Sequence, residues 1–215
     1  MPHMKLFIGN KNYSSWSFRP WIAMMVKGVE FEEQLIQFDF EAGNPKFAEF
    51  SPTNKVPVLH DDGVIITESL AILEYINDKF PEKGFWPGDI KTRALARSIA
   101  HEMHGGFSGI RNDCPMNMRR EIGAIDVSDQ TRKDVRRIET IWRECLERFG
   151  GPFLFGEFTI ADAMFAPVVN RLEIYQLSDE PEVQKYSAAM KGLYAWQEWE
   201  KAGRAEPWIV EEDEA

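Results

Sequence analysis

The sequence has few cysteines and no recognisable metal-binding motif. Its 215 residues include two cysteines, Cys114 and Cys145, which lie far apart and belong to no cluster. We expect both thiols to be reduced and structural rather than disulfide-bonded or catalytic. The four histidines form no HExxH motif, and the pair His101 and His104 is by itself a weak ligand signal. The sequence therefore predicts no metal site.

Long apolar runs and an excess of positive charge are also lacking. The longest apolar stretches fall short of the roughly eighteen residues that a membrane-spanning helix needs. Residues 1–5 do not contain the apolar segment of a signal peptide, so we expect a cytoplasmic protein. The net charge of −10 argues against a nucleic-acid partner, because its phosphates would be repelled. These absences favour a protein that handles small molecules.

Residues 1–80 alternate between strand signals and helix signals. Apolar positions from Phe18 to Val26 repeat at helical spacing, and Gly28 is well suited to end that helix. The remaining signals predict strands over 5–8 and 31–40, a hairpin over 56–66 and a second helix over 69–80. The resulting order, βαβ-ββα, predicts an α/β domain.

Residues 81–89 interrupt this order, because prolines and glycines are concentrated there. Beyond them the sequence predicts no strand, and it predicts helices over 90–112, 129–149, 160–177 and 182–202. We therefore predict two domains: an α/β domain over 1–80 and an all-helical bundle over 90–215, joined by a linker over 81–89.

A serine-rich loop that contains Ser14, Ser15 and Ser17 lies between the first predicted strand and the first helix. The N-terminus of a helix offers free backbone N–H groups and a positive dipole end, and both favour an anion. A serine hydroxyl there can also donate to a thiolate, which is the reactive form of a thiol. Simple capping of the helix explains the serines as well, so the loop alone does not decide between the two roles.

Two further signals lie at the ends of the predicted hairpin. Pro57 cannot donate to a strand ladder, so the Val56–Pro57 bond is either trans at the first strand residue or cis. A cis bond would turn the backbone of Val56 outward, toward an extended peptide. At the start of the second helix, Ser69 can receive a carboxylate and Glu68 an ammonium group, although an ordinary helix start has the same composition.

These sites together match one kind of ligand. A thiolate donor, an edge for a peptide backbone, an anion site and a cation site all lie in one small domain, at loops that lead into a helix or a strand. A short peptide with a thiol, an ammonium group and two carboxylates carries the complementary groups. The four features together indicate such a peptide ligand more specifically than any one of them does alone.

The chain resembles the cytosolic glutathione transferase superfamily over essentially its whole length. The serine loop is most similar to the serine-type classes, particularly the zeta-like class. In the helical domain, Thr159 caps a helix and Asp162 reaches back to its start, as in the capping box of this family. The resemblance implies a thioredoxin-like first domain followed by an all-helical domain. It rests on these segments: Asn12–Pro20, Lys55–Val58, Glu68–Ser69, Phe80–Gly88 and Phe158–Ala163.

By this resemblance, glutathione is the co-substrate and Ser14 is the catalytic serine. Val56 would pair with the peptide backbone of glutathione, and Lys55 would lie near its glycine end. The resemblance also implies a homodimer and no metal. The residues that it assigns to glutathione binding are Ser14, Ser15, Lys55, Val56, Glu68 and Ser69, with the last two at the γ-glutamyl end.

The second substrate is expected to lie against the first helix of the helical domain. The candidate residues of its pocket are Met103, His104, Phe107 and Arg111.

The chain departs from the zeta-like pattern at two positions. Trp16 stands where isomerases of maleylacetoacetate carry a cysteine. Ile174 follows Glu173 where an arginine that holds an acidic substrate is expected, and Arg171 lies one helical turn away. These departures count against the isomerase interpretation, which stays an alternative.

The sequence therefore predicts a glutathione S-transferase, in which a serine-stabilised thiolate attacks a small hydrophobic electrophile. One alternative is a glutathione-dependent isomerase that acts on a maleylacetoacetate-like compound. Another is a non-catalytic module that binds glutathione or a protein. A thioredoxin-type disulfide oxidoreductase is excluded, because Ser14 and Ser17 occupy the positions of its two redox cysteines.

Overall fold

The protein is described by a computed structural model over residues 4–214. The expectation drawn from the first residues of the chain lies in part outside this range, since residues 1–3 are not described.

A four-stranded mixed sheet forms the centre of the first part of the chain. Its strand order is β2-β1-β3-β4, with β2 parallel to β1 and the other neighbours antiparallel. Along β1, alternate side chains are buried, as the period of two of a strand requires. The strands are β1 Met4–Ile8, β2 Glu32–Leu35, β3 Val58–Asp61 and β4 Val64–Thr67.

Two helices complete this part, and six helices follow it. The predicted order βαβ-ββα is confirmed, and the described residues beyond the sheet contain no further strand of more than an isolated bridge. None of these helices is both long and apolar enough to span a membrane within residues 4–214. They are α1 Ser15–Val26, α2 Ser69–Lys79, α3 Ile90–Gly105, α4 Ser108–Asp113, α5 Asp129–Phe149, α6 Ile160–Ile174, α7 Pro181–Lys191 and α8 Tyr194–Ala205.

The predicted strand over 31–40 is wrong in length. It ends at Leu35, because the backbone N–H of Phe38 donates instead to the side-chain oxygen of Asn10, at 2.7 Å. The ring of Phe38 also lies over Gly9, where an added Cβ would come within 2.4 Å of it. The segment after β2 therefore turns across the end of β1 and leaves the sheet.

Two predicted helices are each divided in two. The helix predicted over 90–112 stops at Gly105, because Gly106 is extended and Phe107 has a positive φ of 59°. The helix predicted over 182–202 stops at Lys191 and restarts at Tyr194. Helical periodicity continues across such breaks, so the sequence pattern did not reveal them.

Helix α1 is the contact surface between the sheet and the helical part of the chain. It packs against β1 and α2 of the first part and against α6 and α8 of the helical part. The Phe18 ring stacks on Trp199 with ring centroids 4.8 Å apart and meets the edge of Trp196 at 5.3 Å. The predicted linker is itself packed, since Phe85 is fully buried and its carbonyl accepts from the backbone of Ile160 at 2.9 Å. The linker is thereby joined to the start of α6, while α1 packs on α8.

The predicted capping box at the start of α6 is confirmed. The buried carboxylate of Asp162 accepts from the backbone and hydroxyl of Thr159, at 2.8 and 3.1 Å. It also accepts from the backbone of Leu154 and the hydroxyl of Tyr186, both at 3.0 Å. One side chain thus satisfies donors from three segments, including α7.

Replacement of Asp162 by alanine is expected to lower the free energy of unfolding by about 3 kcal/mol, because several buried donors lose their acceptor together. Urea unfolding of Asp162→Ala measures the loss. Ser128→Ala serves as the control, because the Ser128 hydroxyl caps α5 by bonding to the N–H and the hydroxyl of Thr131, and its loss should cost about 1 kcal/mol. Equal losses in the two variants would contradict the structural role given to Asp162.

Candidate active site

The serine loop lies where β1 ends and α1 begins. Ser14 is the N-cap of α1, and its Oγ accepts from the backbone of Ser17 at 3.4 Å. The Oγ of Ser14 donates to the Oγ of Ser17 at 2.7 Å, and that oxygen also accepts from the backbone of Gly9 at 3.1 Å. Because a hydroxyl rotates freely, the hydrogens can reverse so that Ser17 donates and Ser14 donates into the cleft. Capping and donation to a ligand are therefore compatible at Ser14.

A cleft of about 310 Å³ opens in front of this loop, and a second cavity of about 160 Å³ adjoins it. Trp16, Lys55 and Val56 line both of them. All six residues that sequence analysis assigned to glutathione binding lie on these walls. Ser14, Ser15, Lys55 and Val56 line the larger cleft, and Lys55, Val56, Glu68 and Ser69 line the smaller cavity.

The wall formed by Lys55 and Val56 is held by a tight loop. The Ser51 hydroxyl accepts from the backbone N–H of Lys55 at 3.1 Å and donates to its carbonyl at 2.7 Å. The Val56–Pro57 peptide bond is cis, which decides between the two alternatives that the sequence left open.

The start of α2 carries hydrogen-bonding capacity that the described protein does not use. Glu68 is exposed, has a positive φ of 69° and makes no side-chain cap bond to its helix. Ser69 is buried, and its Oγ has no hydrogen-bond partner within residues 4–214. Since buried polar atoms are normally paired, this hydroxyl and the neighbouring N–H groups are suited to a polar ligand.

Three guanidinium groups gather around the first turn of α1. Those of Arg19 and Arg111 lie 4.4 and 4.6 Å from the ring centroid of Trp16. Burial lowers the pKa of Arg19 far below its usual value, and the charges of Arg111 and Arg171 lower it further. Burial, followed by the charge of Arg111, lowers the pKa of Arg171 to about 10. Arg111 and Arg171 line the cleft, and they give it a positive floor at neutral pH.

Arg171 retains donors that no described residue accepts. Its exposed fraction is 4%, and its Nη2 donates to the Oγ of Ser15 at 3.3 Å. Its Nε and Nη1 have no partner within residues 4–214. Ile174 is buried elsewhere on α6, and Glu173 pairs with Lys191 on α7. Arg171, one turn before position 174 where the arginine was expected, therefore lines the cleft.

The structure corrects the predicted pocket of the second substrate. Met103 is fully buried, and Phe107 packs against Phe165 with ring centroids 6.4 Å apart, so both belong to the core. Arg111 does line the cleft, as predicted, and donates to the backbone carbonyls of Met103 and Gly106.

His104 lies beside the cleft rather than on its wall. Its ring meets Trp16 edge-on at 5.4 Å, and its Nε2 is 3.9 Å from the Glu68 carboxylate. Burial lowers the pKa of His104, with Glu68 acting in the opposite direction. The ring is consequently neutral at pH 7 and adds no fourth positive charge.

Several cleft residues were missed by sequence reasoning. Tyr13, Pro115, Met116 and Asp213 line the same cleft, as do aromatic rings of the segment after β2. Tyr13 lies next to Ser14 in the serine loop, whereas the other residues come from distant segments that no local motif marks. Asp213 belongs to an acidic segment near the end of the chain, over 211–214.

The two thiols do not contribute to this site. Both cysteines are free, and burial raises the pKa of Cys114 to about 12 and that of Cys145 to about 11. Both are protonated at neutral pH and are therefore poor nucleophiles. Within the described part of the chain, no group of three or more His, Cys, Asp or Glu side chains is arranged to hold a metal ion.

Comparison with known proteins identifies the family. The model of the glutathione S-transferase N-terminal domain matches residues 13–79, and that of the C-terminal domain matches residues 125–202. The chain belongs to the glutathione S-transferase family, and the predicted family and fold class are confirmed.

Within this family the chain is zeta-like. It is 28% identical to maleylacetoacetate isomerase of Rattus norvegicus over 190 residues, which cover 86% of this chain and 87% of that protein. A zeta-class glutathione S-transferase of Euphorbia esula is 27% identical over 172 residues, which cover 79% of this chain and 76% of that protein. A solved glutathione transferase homologue from Burkholderia, with bound glutathione, matches with a TM-score of 0.72 at 23% identity and covers 96% of this chain and 100% of that one.

Ser17 is expected to support Ser14 rather than to act on a ligand. Ser17→Ala leaves the buried N–H of Gly9 without an acceptor and should lower the free energy of unfolding by about 2 kcal/mol. Urea unfolding measures this change. In the control, Ser98→Ala, an exposed hydroxyl that bonds to its own helix is lost, and the change should stay within about 0.5 kcal/mol. A Ser17→Ala variant as stable as wild type would remove this supporting role.

Proposed function

We propose that this protein binds glutathione in the two adjoining cavities and transfers its thiolate to an electrophile. The observation that carries the proposal is the position of Ser14. Its hydroxyl caps α1 and lines the cleft next to Val56. The bound glutathione in the Burkholderia homologue supports the same ligand for this fold.

In the proposed complex, the peptide backbone of glutathione extends along Val56. Its γ-glutamyl carboxylate meets the hydroxyl of Ser69 and the first N–H groups of α2, which carry the positive end of the helix dipole. The ammonium group meets the exposed carboxylate of Glu68. Lys55 lies on the same wall and is placed to attract the glycine carboxylate. The thiol then lies at the start of α1.

Ser14 acts on the sulfur by donating a hydrogen bond to the thiolate. A hydrogen bond to the charged form lowers a pKa, and nearby positive charge does the same. The N-terminus of α1 and Arg171, which bonds to Ser15, supply that positive charge. The thiol can therefore lose its proton to water at neutral pH, and the sulfur becomes nucleophilic.

The reaction follows from the thiolate. Its sulfur forms a bond to an electrophilic carbon, and the leaving group departs with its electron pair. With a conjugated double bond, the sulfur adds instead and the neighbouring carbon takes a proton from water. Reversal of such an addition after bond rotation would isomerise the double bond.

The isomerase alternative retains one supporting observation. Arg171 lines the cleft and carries buried donors without a described partner, and its positive charge would suit an acidic substrate such as that named for the rat relative. Trp16, in place of a cysteine, separates this chain from that activity. Transfer to an electrophile is therefore the primary proposal.

Thermal unfolding across a glutathione titration tests the binding step. Glutathione at one hundred times its dissociation constant should stabilise the fold by about 2.7 kcal/mol, which gives a clear rise in the midpoint. Glu68→Ala should weaken the affinity, because the ammonium group loses its partner. Glu82→Ala, which removes an acidic residue outside the cavities, should not. No saturable shift at millimolar glutathione would contradict the proposal and favour a non-catalytic module that binds a protein.

Turnover with an aryl halide tests the role of Ser14. Ser14→Ala should lower kcat about a hundredfold, since one donor to the developing charge is lost, and should leave glutathione affinity within about threefold. Ser98→Ala is the matched control. Unchanged turnover in Ser14→Ala would assign the role to another donor, such as Ser15.

We further propose that the protein is a cytoplasmic homodimer. Val64 and Ile65, on the edge strand β4, are 51% and 50% exposed, and apolar neighbours with such exposure are candidates for an interface. Light scattering during size-exclusion chromatography distinguishes the dimer from a monomer.

A further inference from the structure

The C-terminal segment returns to the serine loop and is fastened there. The carboxylate of Glu206 accepts from the backbone N–H groups of Lys11 and Asn12, at 2.7 and 3.1 Å. Arg119 donates to the carbonyl of Trp208 at 2.7 Å and to the hydroxyl of Tyr13 at 2.6 Å. The chain after α8 therefore lies against the loop that precedes Ser14.

The last described turn, Glu211–Asp213, is fastened to the rim of the cleft. The backbone carbonyl of Asp213 accepts from the side-chain amide of Asn117 at 3.4 Å. The next residue, Glu214, accepts from the hydroxyl of Tyr13 and lies 3.7 Å from Arg119. Contacts on both sides thus place the carboxyl group of Asp213 on the cleft wall.

Asp213 lines the cleft with Arg111 and Arg171 but forms no ion pair within 4 Å with either of them in the described chain. The Nε and Nη1 of Arg171 remain unpartnered and buried. Burial raises the pKa of Asp213 to about 6, while Arg171 acts to lower it. Arg171 and Asp213 therefore attract each other without a direct ion pair.

The space between these charges has apolar walls. Tyr13, Pro115 and Met116 lie around it, so a flat apolar body fits beside the arginines. An acidic group on such a body would be attracted to the guanidinium of Arg171, with which Asp213 forms no direct ion pair. The acidic group of the ligand would then lie close to the negative carboxylate of Asp213.

We propose that Asp213 determines specificity on the second-substrate side of the cleft, by opposing acidic compounds that would bind Arg171. This inference rests on the proposed function, because it places the second substrate next to the thiolate of glutathione. The favoured class is a planar apolar molecule, and its acidic analogues bind tightly only when Asp213 is neutral. Arg171 supplies the attraction, and Asp213 limits it.

Equilibrium binding of benzoate and benzamide tests this inference, since the two probes have nearly the same shape and differ in charge. Calorimetry on wild type and Asp213→Asn should show an affinity for benzoate about tenfold higher in the variant, with benzamide unchanged within about twofold. Glu212→Gln is the matched control, because it removes the same charge from an exposed position on the same turn. It should leave both affinities unchanged.

A second variant tests where benzoate binds. Arg171→Met in the Asp213→Asn background should abolish the gain for benzoate and leave benzamide binding intact, and circular dichroism checks that the variant is folded. The inference is overturned if Asp213→Asn gains nothing for benzoate, gains equally for both probes, or binds neither. The inference is also overturned if the higher affinity of Asp213→Asn for benzoate persists after Arg171→Met. Because these measurements need no glutathione, their outcome is separable from that of the proposed function.

Discussion

The burial of two guanidinium groups beneath the first turn of α1 constrains the rest of the site. Arg19 is fully buried, and donates to the carbonyls of Met164 at 3.0 Å and Ser15 at 3.0 Å, while its guanidinium stacks near Trp16. A buried charge without partners is costly, so these carbonyl and ring contacts must be kept. They join α6 to the start of α1 and thereby set the orientation of the serines. Arg171, on the same helix α6, lines the cleft and has two buried donor atoms without a partner in the described chain.

This arrangement explains how an acidic protein can handle an anionic nucleophile. The net charge of the chain is −10, yet the local charge where the thiolate would form is positive. Interactions across a buried cleft are screened less than those at the surface, so the nearby arginines outweigh the distant carboxylates. A thiolate compensates the arginines, and the arginines in turn stabilise the thiolate. Asp213 lines the same cleft as Arg111 and Arg171, and its negative charge opposes theirs.

Much of the fold was predictable because its signals are local. The strand-to-helix order and the capping box at Asp162 each depend on residues close together in the chain. The errors have non-local causes. The strand predicted to reach residue 40 stops early because Asn10 takes the N–H of Phe38. Met103 was assigned to the pocket because periodicity does not tell which apolar face meets a cleft. Asp213 was missed because only the folded chain brings the tail to Arg171.

The pKa of the thiol of bound glutathione tests the central claim most directly. Ultraviolet absorbance of the thiolate, followed through a pH titration of the saturated complex, gives this value in wild type and in Ser14→Ala. The account predicts a pKa at least about one unit below the roughly 8.5 of an ordinary cysteine thiol, and a return toward that value in Ser14→Ala. A bound thiol with an unshifted pKa in wild type would contradict the account, because the serine and the arginines would then have no effect on the sulfur.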